Sequence, residues 1–529
     1  MTLLCKLYQP LWFRSNKFHK SVYSLTTLVY TNTTNNLDSI VTKNADTFKE
    51  MTGGSLTVKW KDLREKILHQ NNEITPATVD STIIDMCLRY SYLDNAIAYF
   101  KFLRENNYPL NMAVIGKYLR LYAWKKPNSL TDADKVDIVE TFNDLIQKHP
   151  LLDYITAGHC VVSLCLTDEW LKTQEIIEMV KLTSSPNSMM YSALASAAFR
   201  NGKPDIAWKA LSDLVSYKLT PNNAVYESHL QYCQFDDAKA FNSRMEEMFN
   251  LWAEHSIIPC NEIINAYADK ARKYDWSTEL VTISRETGHC RHCGYSLPKI
   301  TFTEEEFGNL AKSMMDKVII GSDVYRKTNP KELLKFQKFI EDTKPYDIVI
   351  DGLNITYFQK SRSYHNESEP KLTWLINVVE HFKKQRKRIL VLTRKHQKKL
   401  STFKHVERLA SVFLIDNLSS DDPYILYATL ASGINSKFIS LDLMRQHKHS
   451  LQNSDLQRAF KKWQYSHQYF VERSKTGIRM LEPFACMPNV QKSGNCWHVP
   501  CVSDDIIKTE SYKFPDKWYC LKYTKKTNK

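Results

Sequence analysis

No stretch of this 529-residue chain is apolar over the roughly 20 residues that a membrane-crossing helix needs, which excludes a helical span. Cysteine is sparse: twelve, scattered, are too few for a disulfide-dense scaffold and too irregular for a repeat. Acidic charge is also short. Asp and Glu number 58 against 72 Lys and Arg, so the formal charge is +14. Such an excess favours a polyanionic partner, nucleic acid being the commonest, and says nothing about fold. A membrane surface is the other taker of basic charge, but no long amphipathic basic helix is evident. Apolar residues make up 43%, enough for ordinary cores, and the length suggests about three domains.

The opening stretch carries no acid before Asp38, while Lys6, Arg14, Lys17 and Lys20 lie among Ser, Thr and aromatic residues. A basic, acid-poor leader of this kind reads as an organelle transit peptide, and the lack of a compact hydrophobic run argues against a secretory signal. The competing reading is a disordered basic tail. Residues 1–54 are assigned to an organelle transit peptide and linker.

Prolines recur at 76, 109, 150, 186, 221 and 259, spaced by 33, 41, 36, 35 and 38 residues. In "PNSMMYSALASAAFRNGKPDIAWKALSDLVSYKLTP", Met190, Leu194 and Ala197 share one helical face. Asn201-Gly202 breaks the helix, and Pro204 suits the first turn of a second. Ile206, Ala207, Ala210, Leu211 and Leu214 give that second helix its apolar side. A single hairpin of this sort cannot bury its own faces, whereas a stack can. Residues 72–270 therefore read as an array of helical hairpins of the pentatricopeptide type, which reads RNA. The tetratricopeptide type, which binds peptides, has nearly the same period.

Cys290 and Cys293 in "TGHCRHCGY" have the spacing of two zinc-binding thiolates on a tight turn, with Gly294 easing the backbone. Structural zinc takes four ligands, and no second pair follows nearby. Cys496, His498 and Cys501 in "GNCWHVPC", and Cys520 in "DKWYC", are the remaining candidates. Residues 271–340 with 480–529 thus read as one zinc-binding and connecting region.

Residues 341–479 alternate short apolar runs with amphipathic segments. "YDIVIDG", "RILVLT", "VFLID" and "KFISLD" read as strands. The segment after Pro370 reads as a helix with Leu372, Leu375, Ile376, Val379 and Phe382 on one side. Such a pattern implies a mainly parallel sheet with helices on both faces and its active site at the carboxyl ends of the strands. Asp351, Asp416 and Asp442 each end a strand, and Asp421 and Asp422 open the helix "DDPYILYATLASG". Convergent carboxylates suit Mg²⁺, or Mn²⁺, for activating water and steadying a phosphodiester. Each acid also has a plainer use as a cap or turn residue, and Gly352 reads as the breaker that ends the strand before it. Asp416 ranks below the other four. Lys383, Lys384, Arg386, Lys387, Arg388, Arg394, Lys395, Lys398 and Lys399 read as positive charge flanking the acidic site, a path for a phosphate backbone.

Taken together, "VIDGLNI", "LSSDDPYILYATL", "FISLDLMRQHKH", "WHVP" and "CRHCG" resemble the protein-only ribonuclease P family, in its animal mitochondrial form. The resemblance implies a helical pentatricopeptide-like solenoid, a central zinc region and an α/β metallonuclease domain of the NYN/PIN kind. It implies a mitochondrial-matrix endonuclease that removes the 5′ leader of precursor tRNA, with Asp351, Asp421, Asp422 and Asp442 as the Mg²⁺-holding catalytic acids. It further implies zinc on Cys290, Cys293, His498 and Cys520, and two partners: a tRNA methyltransferase and a short-chain dehydrogenase. Two positions depart from the family pattern, Leu441 where Arg often stands and Gln446 where an acid does. The rival readings are a PIN-like endonuclease acting on other RNA, a non-catalytic RNA-binding adaptor and a peptide-binding helical scaffold.

Overall fold

The structure, a computed structural model, describes residues 48, 59–70, 74–90, 92–124, 130–233, 237–316, 330–357, 372–400, 402–416, 422–442, 444–451, 453–474, 477–501, 515 and 517–524. The expected transit segment lies outside the described residues except for Phe48. The chain divides into two compact units, Met1–Ala240 and Phe241–Lys529.

In the first unit, helices Val79–Arg89, Met112–Leu121, Tyr154–Leu164, Ser188–Arg200 and Asn223–Tyr232 stack in chain order, each packed on the next. Their starts are 33, 42, 34 and 35 residues apart. Helices Leu93–Glu105, Asp132–Lys148, Thr173–Lys181 and Pro204–Ser216 complete the hairpins. The recurrent prolines lie two to four residues before each stacking helix, where they keep the preceding residue out of helical conformation. Polar caps then start the helices. Asn111 accepts from the Val114 amide at 2.9 Å, Asp153 from Ile155 and Thr156 at 2.9 and 3.0 Å, and Asn187 from Met190 at 3.0 Å.

In the hairpin of Ser188–Arg200 and Pro204–Ser216, Gly202 takes φ +64° in the turn and Pro204 opens the second helix. Met190, Leu194, Ala197, Ala207, Ala210, Leu211 and Leu214 are all buried, while Ile206 is only half-buried. Close approach fixes one further position. A Cβ at Gly116 would lie 3.0 Å from the Thr156 methyl and 3.3 Å from its Cα, so the stacked helices meet almost backbone to backbone there.

The second unit holds two sheets. Strands β1 (Trp276–Val281), β8 (Gln491–Ser493), β9 (Cys496–Cys501) and β10 (Lys517–Tyr523) form an antiparallel sheet in the order β1-β10-β9-β8. The residues of helix Ala238–Glu254 that fall in this unit pack on it: Phe249 lies 5.4 Å from the Trp497 ring, and the Trp276 indole donates to Asn242 at 2.5 Å. Helix Asn261–Ala271 packs there as well. Residues 241–271, expected to continue the array, thus use their apolar faces to cover this sheet.

The larger sheet runs β4-β3-β2-β5-β6-β7, from β2 (Ile348–Asp351), β3 (Ile389–Arg394), β4 (Ser411–Ile415), β5 (Lys437–Ile439), β6 (Gln468–Ser474) and β7 (Gly477–Leu481). All neighbours pair parallel except β6 and β7. Alternate side chains enter opposite cores. Val349, Leu390, Leu392 and Phe438 pack with Phe307, Phe336, Tyr424 and Trp463; Ile348, Ile350, Ile389, Val391 and Ile439 pack with Leu375, Val379, Phe382 and Val406. Burial on both faces is why these strands read as unbroken apolar runs.

Three details differ from the sequence reading. Helices Glu304–Met314 and Pro330–Thr343, expected in the connecting region, supply Phe307, Leu310, Phe336 and Ile340 to the core of the larger sheet. The hairpin of β6 and β7 extends that sheet to Leu481, past the expected boundary at 479. The strand expected over 437–442 ends at Ile439, where Ser440 turns inward to polar partners.

The two glycines Gly116 and Gly308 separate packing from propensity. Gly308 sits exposed within Glu304–Met314, with nothing within 4 Å of an added Cβ. Gly308→Ala is expected to stabilise by about 0.5–1 kcal/mol. Gly116→Val is expected to destabilise by about 1–3 kcal/mol through overpacking against Thr156. Urea unfolding of both variants checks the opposite signs.

Candidate metal centre and acidic sheet edge

The Cys290–Cys293 turn is shaped by its backbone. The Gly294 amide donates to the Cys290 carbonyl at 3.0 Å with Gly294 at φ +79°, and the Cys290 amide donates to the Tyr295 carbonyl at 2.9 Å. His498 on β9 lies directly across from Cys520 on β10. One ligand atom from each of Cys290, Cys293, His498 and Cys520 falls within 4.8 Å of all the others. Cys290, His498 and Cys520 are fully buried.

Strand alternation sorts the remaining candidates. Cys501 is an odd step from His498, so it faces the other side of β9, where its thiol donates to the Lys517 carbonyl at 3.3 Å. Cys496 shares the His498 side and its thiol interacts with those of Cys293 and Cys520 as well as with Asn495 at 3.5 Å, but it falls outside the quartet whose ligand atoms all lie close together.

The electrostatics of the quartet suit a soft divalent cation. Burial, then the neighbouring His292, push His498 down to about 4, leaving a neutral imidazole. Its Nε2 lies 3.3 Å from the Cys293 sulfur, and its buried Nδ1 has no hydrogen-bond partner among the described residues. Burial, then Cys290 and Cys293, push the Cys520 thiol far above its ordinary value. Three crowded thiols and a neutral imidazole, all buried but the half-buried Cys293, match a structural zinc site. Bound zinc would reverse the thiol shifts by stabilising the thiolates.

Asp351, the last residue of β2, is 1% exposed. One carboxylate oxygen accepts from the Asn354 amide at 3.0 Å. The other accepts from the Ser440 hydroxyl at 3.2 Å and from the Asn354 side-chain amide. Asp351 therefore does cap the short helix Gly352–Thr356, as the plainer reading held. Gly352 is needed for a reason the sequence did not suggest. It begins that helix, and a Cβ there would lie 2.9 Å from the Leu392 carbonyl of β3.

Ser440 is the residue that sequence reasoning missed. Its hydroxyl also accepts from the Asp442 amide at 3.1 Å, tying Asp351 and Asp442 to one atom, and the Gln468 side chain donates to the carbonyls of both Ser440 and Asp442 at 2.8 Å. No local pattern marks Ser440, because the pairing depends on β2 lying beside β5. Asp442 itself is exposed, and its carboxylate accepts from the Met444 amide at 2.7 Å. Asp422 opens helix Asp422–Ala431 and lies 3.7 Å from the His447 ring. Asp421 lies outside the described residues. Asp416 pairs with Lys395, and its amide donates to Glu332 at 2.5 Å. Among the described residues, only the Cys/His quartet brings three or more such ligand atoms this close, so Asp351, Asp422 and Asp442 share an edge without closing on a common point. Leu441, at one of the positions departing from the family pattern, packs partly buried against the core behind β2.

The positive charge divides between the two ends of the sheet. Arg394, Lys395, Lys398 and Lys399 follow β3 at its carboxyl end, the end of Asp351. Lys383, Lys384, Arg386, Lys387 and Arg388 precede β3 and lie toward its amino end, so they do not flank the acids as expected.

The quartet predicts a split between neighbouring thiols. Cys520→Ser is expected to lose bound zinc and to lower Tm, while Cys501→Ser keeps zinc. Metal analysis of the purified variants, with thermal unfolding, checks it.

Residues 284–520 match the family described as Protein-only RNase P. The mitochondrial ribonuclease P catalytic subunit of Mus musculus is 28% identical over 433 residues, covering 79% of this chain and 70% of that protein; its Rattus norvegicus counterpart is 28% identical over 431 residues, with the same shares. Proteinaceous RNase P 3 of Arabidopsis thaliana is 24% identical over 259 residues, 46% of this chain and 42% of that protein. The crystal structure of nuclear proteinaceous RNase P 2 from A. thaliana superposes with a TM-score of 0.55 at 15% identity, covering 85% of this chain and all of that one, and so shares the fold. With its helical pentatricopeptide-like region and its buried Cys/His cluster, the chain is a homologue of the protein-only RNase P family and of the animal mitochondrial RNase P catalytic subunit.

Proposed function

We propose that this chain is a mitochondrial endoribonuclease that removes the 5′ leader of precursor tRNA by hydrolysis, leaving a 5′-phosphate on the tRNA and a 3′-hydroxyl on the leader. The observation that carries the chemistry is the joining of Asp351 and Asp442 through Ser440 at the carboxyl edge of a parallel sheet, within the region matched to the family. The reading assigns the domain around that sheet to the NYN/PIN-like metallonucleases. It assigns the helical hairpins of the first unit to tRNA binding away from the cut, and the antiparallel sheet with the Cys290–Cys293 turn to the zinc clip. A tRNA methyltransferase and a short-chain dehydrogenase are the partners it takes, in the mitochondrial matrix.

Asp351, Asp421, Asp422 and Asp442 would hold the metal, since an all-oxygen carboxylate set suits Mg²⁺, with Mn²⁺ as an alternative. Such an ion supplies the charge that activates water and stabilises an in-line displacement at phosphorus. The protein supplies orientation. Donors from Asn354 and Ser440 fix the orientation of the buried Asp351 carboxylate. Ser440 and Gln468 hold the turn that presents Asp442, and the N-terminal end of Asp422–Ala431 carries Asp422 with His447 beside it. Exposed Lys398, just beyond β3, offers a phosphate contact on the same edge.

Asp351→Asn discriminates cap from ligand. Asn keeps the oxygen that accepts from the Asn354 amide but removes the charge a hard cation needs. Cleavage of precursor tRNA is expected to fall by at least about 10²-fold with RNA binding retained. Near-normal cleavage, assayed in saturating Mg²⁺ with the methyltransferase and dehydrogenase present, would return Asp351 to a purely structural role. An unrelated RNA hairpin, run beside precursor tRNA with the wild type, tests the substrate: equal cleavage of both would replace leader removal with a general endonuclease.

A further inference from the structure

The opposite edge of the larger sheet carries a second concentration of charge. A cavity of about 520 Å³ opens at the amino ends of β2, β3 and β4, lined by Tyr346, Lys383, Arg386, Lys387, Arg388 and Arg408 among others. These three strands pair parallel, so the cavity sits at the far end from Asp351. The six residues of β3 span roughly 20 Å between the two edges. Five cations face this space. Asp347 is the carboxylate that meets them, 3.8 Å from Lys387 and accepting from the Arg388 amide at 2.7 Å.

The cations differ in what else they do. Arg388 donates to the Thr343 carbonyl at 2.8 Å and lies over the Tyr346 ring, so it is built into the wall. Among the described residues, the Lys383 and Arg386 side chains make no ion pair. Arg386 occupies a backbone position made for glycine. It follows the helix Leu372–Lys384 at φ +59°, with its amide donating to the Lys383 carbonyl at 2.9 Å and the Lys387 amide reaching back to Phe382 at 3.1 Å. Helices commonly end this way with Gly, because a Cβ is strained there. Lys218 ends helix Pro204–Ser216 in the same way at φ +58°, so the conformation is one this chain uses elsewhere; what sets Arg386 apart is that it places a cation beside a cavity lined by four others. Cations also favour a helix C-terminus through its dipole, which accounts for Lys383 and Lys384 on one helix and for Arg408 in the last turn of another, but not for the meeting of both helix ends with Arg386, Lys387 and Arg388 around one opening.

We propose that this amino-edge cavity is a second RNA-backbone site, which takes phosphates of a structured RNA remote from the acids. Only the choice of RNA as the polyanion rests on the ribonuclease reading. Its contacts are sequence-independent, so the site adds affinity and not cleavage-site choice.

Binding of fluorescent precursor tRNA and of an unrelated RNA duplex to the full chain is measured in EDTA across a salt series. Lys383→Ala/Arg386→Ala/Arg408→Ala is compared with Lys312→Ala/Lys335→Ala/Lys338→Ala, which removes equal charge from exposed positions on two helices of the other face. The first triple is expected to weaken both RNAs about tenfold and to lower the salt slope by about 2, since each phosphate contact contributes ~0.7–0.9. The second is expected to change neither by more than about twofold. Arg386→Gly separates ligand contact from folding: it relieves the strained backbone, so Tm holds or rises while RNA affinity falls. Equal effects of the two triples, wild-type affinity in Arg386→Gly, or no RNA binding by the wild type would each overturn the site. A first triple that loses duplex binding, in a chain that never cleaves precursor tRNA, would keep the site and sink the leader-removal reading.

Discussion

Parallel pairing of β2 between β3 and β5 is the constraint on which the rest of the second unit depends. Parallel neighbours put all their carboxyl ends on one edge and all their amino ends on the other. That single fact brings Asp351 beside Ser440, although 89 residues separate them. It also requires crossovers long enough to contain helices, and those helices close both faces. The buried strands then leave only the two edges for polar chemistry. Gly352 shows how tightly the arrangement is drawn, since its backbone approaches the Leu392 carbonyl where any side chain would intrude.

The antiparallel sheet solves a different problem. Cys293 and His498 are 205 residues apart, yet they meet at 3.3 Å. Closing so long a loop costs conformational entropy, though only slowly more as the loop lengthens. Strand pairing offsets part of that cost: β10 lies between β1 and β9 and brings Cys520 and His498 into register. A cation shared by the quartet would relieve three crowded thiols and use an imidazole that burial keeps neutral. The sheet and the metal site therefore reinforce one another, which is the usual coupling of structural metals to folding.

Local signals were legible wherever the relevant physics was local. Proline spacing and the Asn201-Gly202 break follow from neighbours within a few residues. So do the apolar runs of β2 and β3 and the Cys290–Cys293 turn. The fate of Cys501 was also in principle readable, because a strand through "CWHVPC" places it on the face opposite His498. What was not legible depends on which strand lies beside which. The role of Ser440 needs β5 next to β2, and the transfer of residues 241–271 from the array to the antiparallel sheet needs Trp497 to meet Phe249. Periodicity says that a helix has an apolar face; it does not say what that face will cover.

The same limit explains the misreading of the basic run 383–399. In sequence it is one block, and beside an acidic motif it looks like a single phosphate path. A strand runs through its middle. β3 carries the first half of the charge to the amino edge and the second half to the carboxyl edge, about 20 Å apart. Cations at the carboxyl edge offset nearby carboxylates, as Lys395 does with Asp416. Those at the amino edge line one cavity while remaining exposed to solvent, which screens their mutual repulsion. Asp347 meets only Lys387 and the Arg388 amide, so this edge keeps an excess of positive charge that an anionic ligand would neutralise.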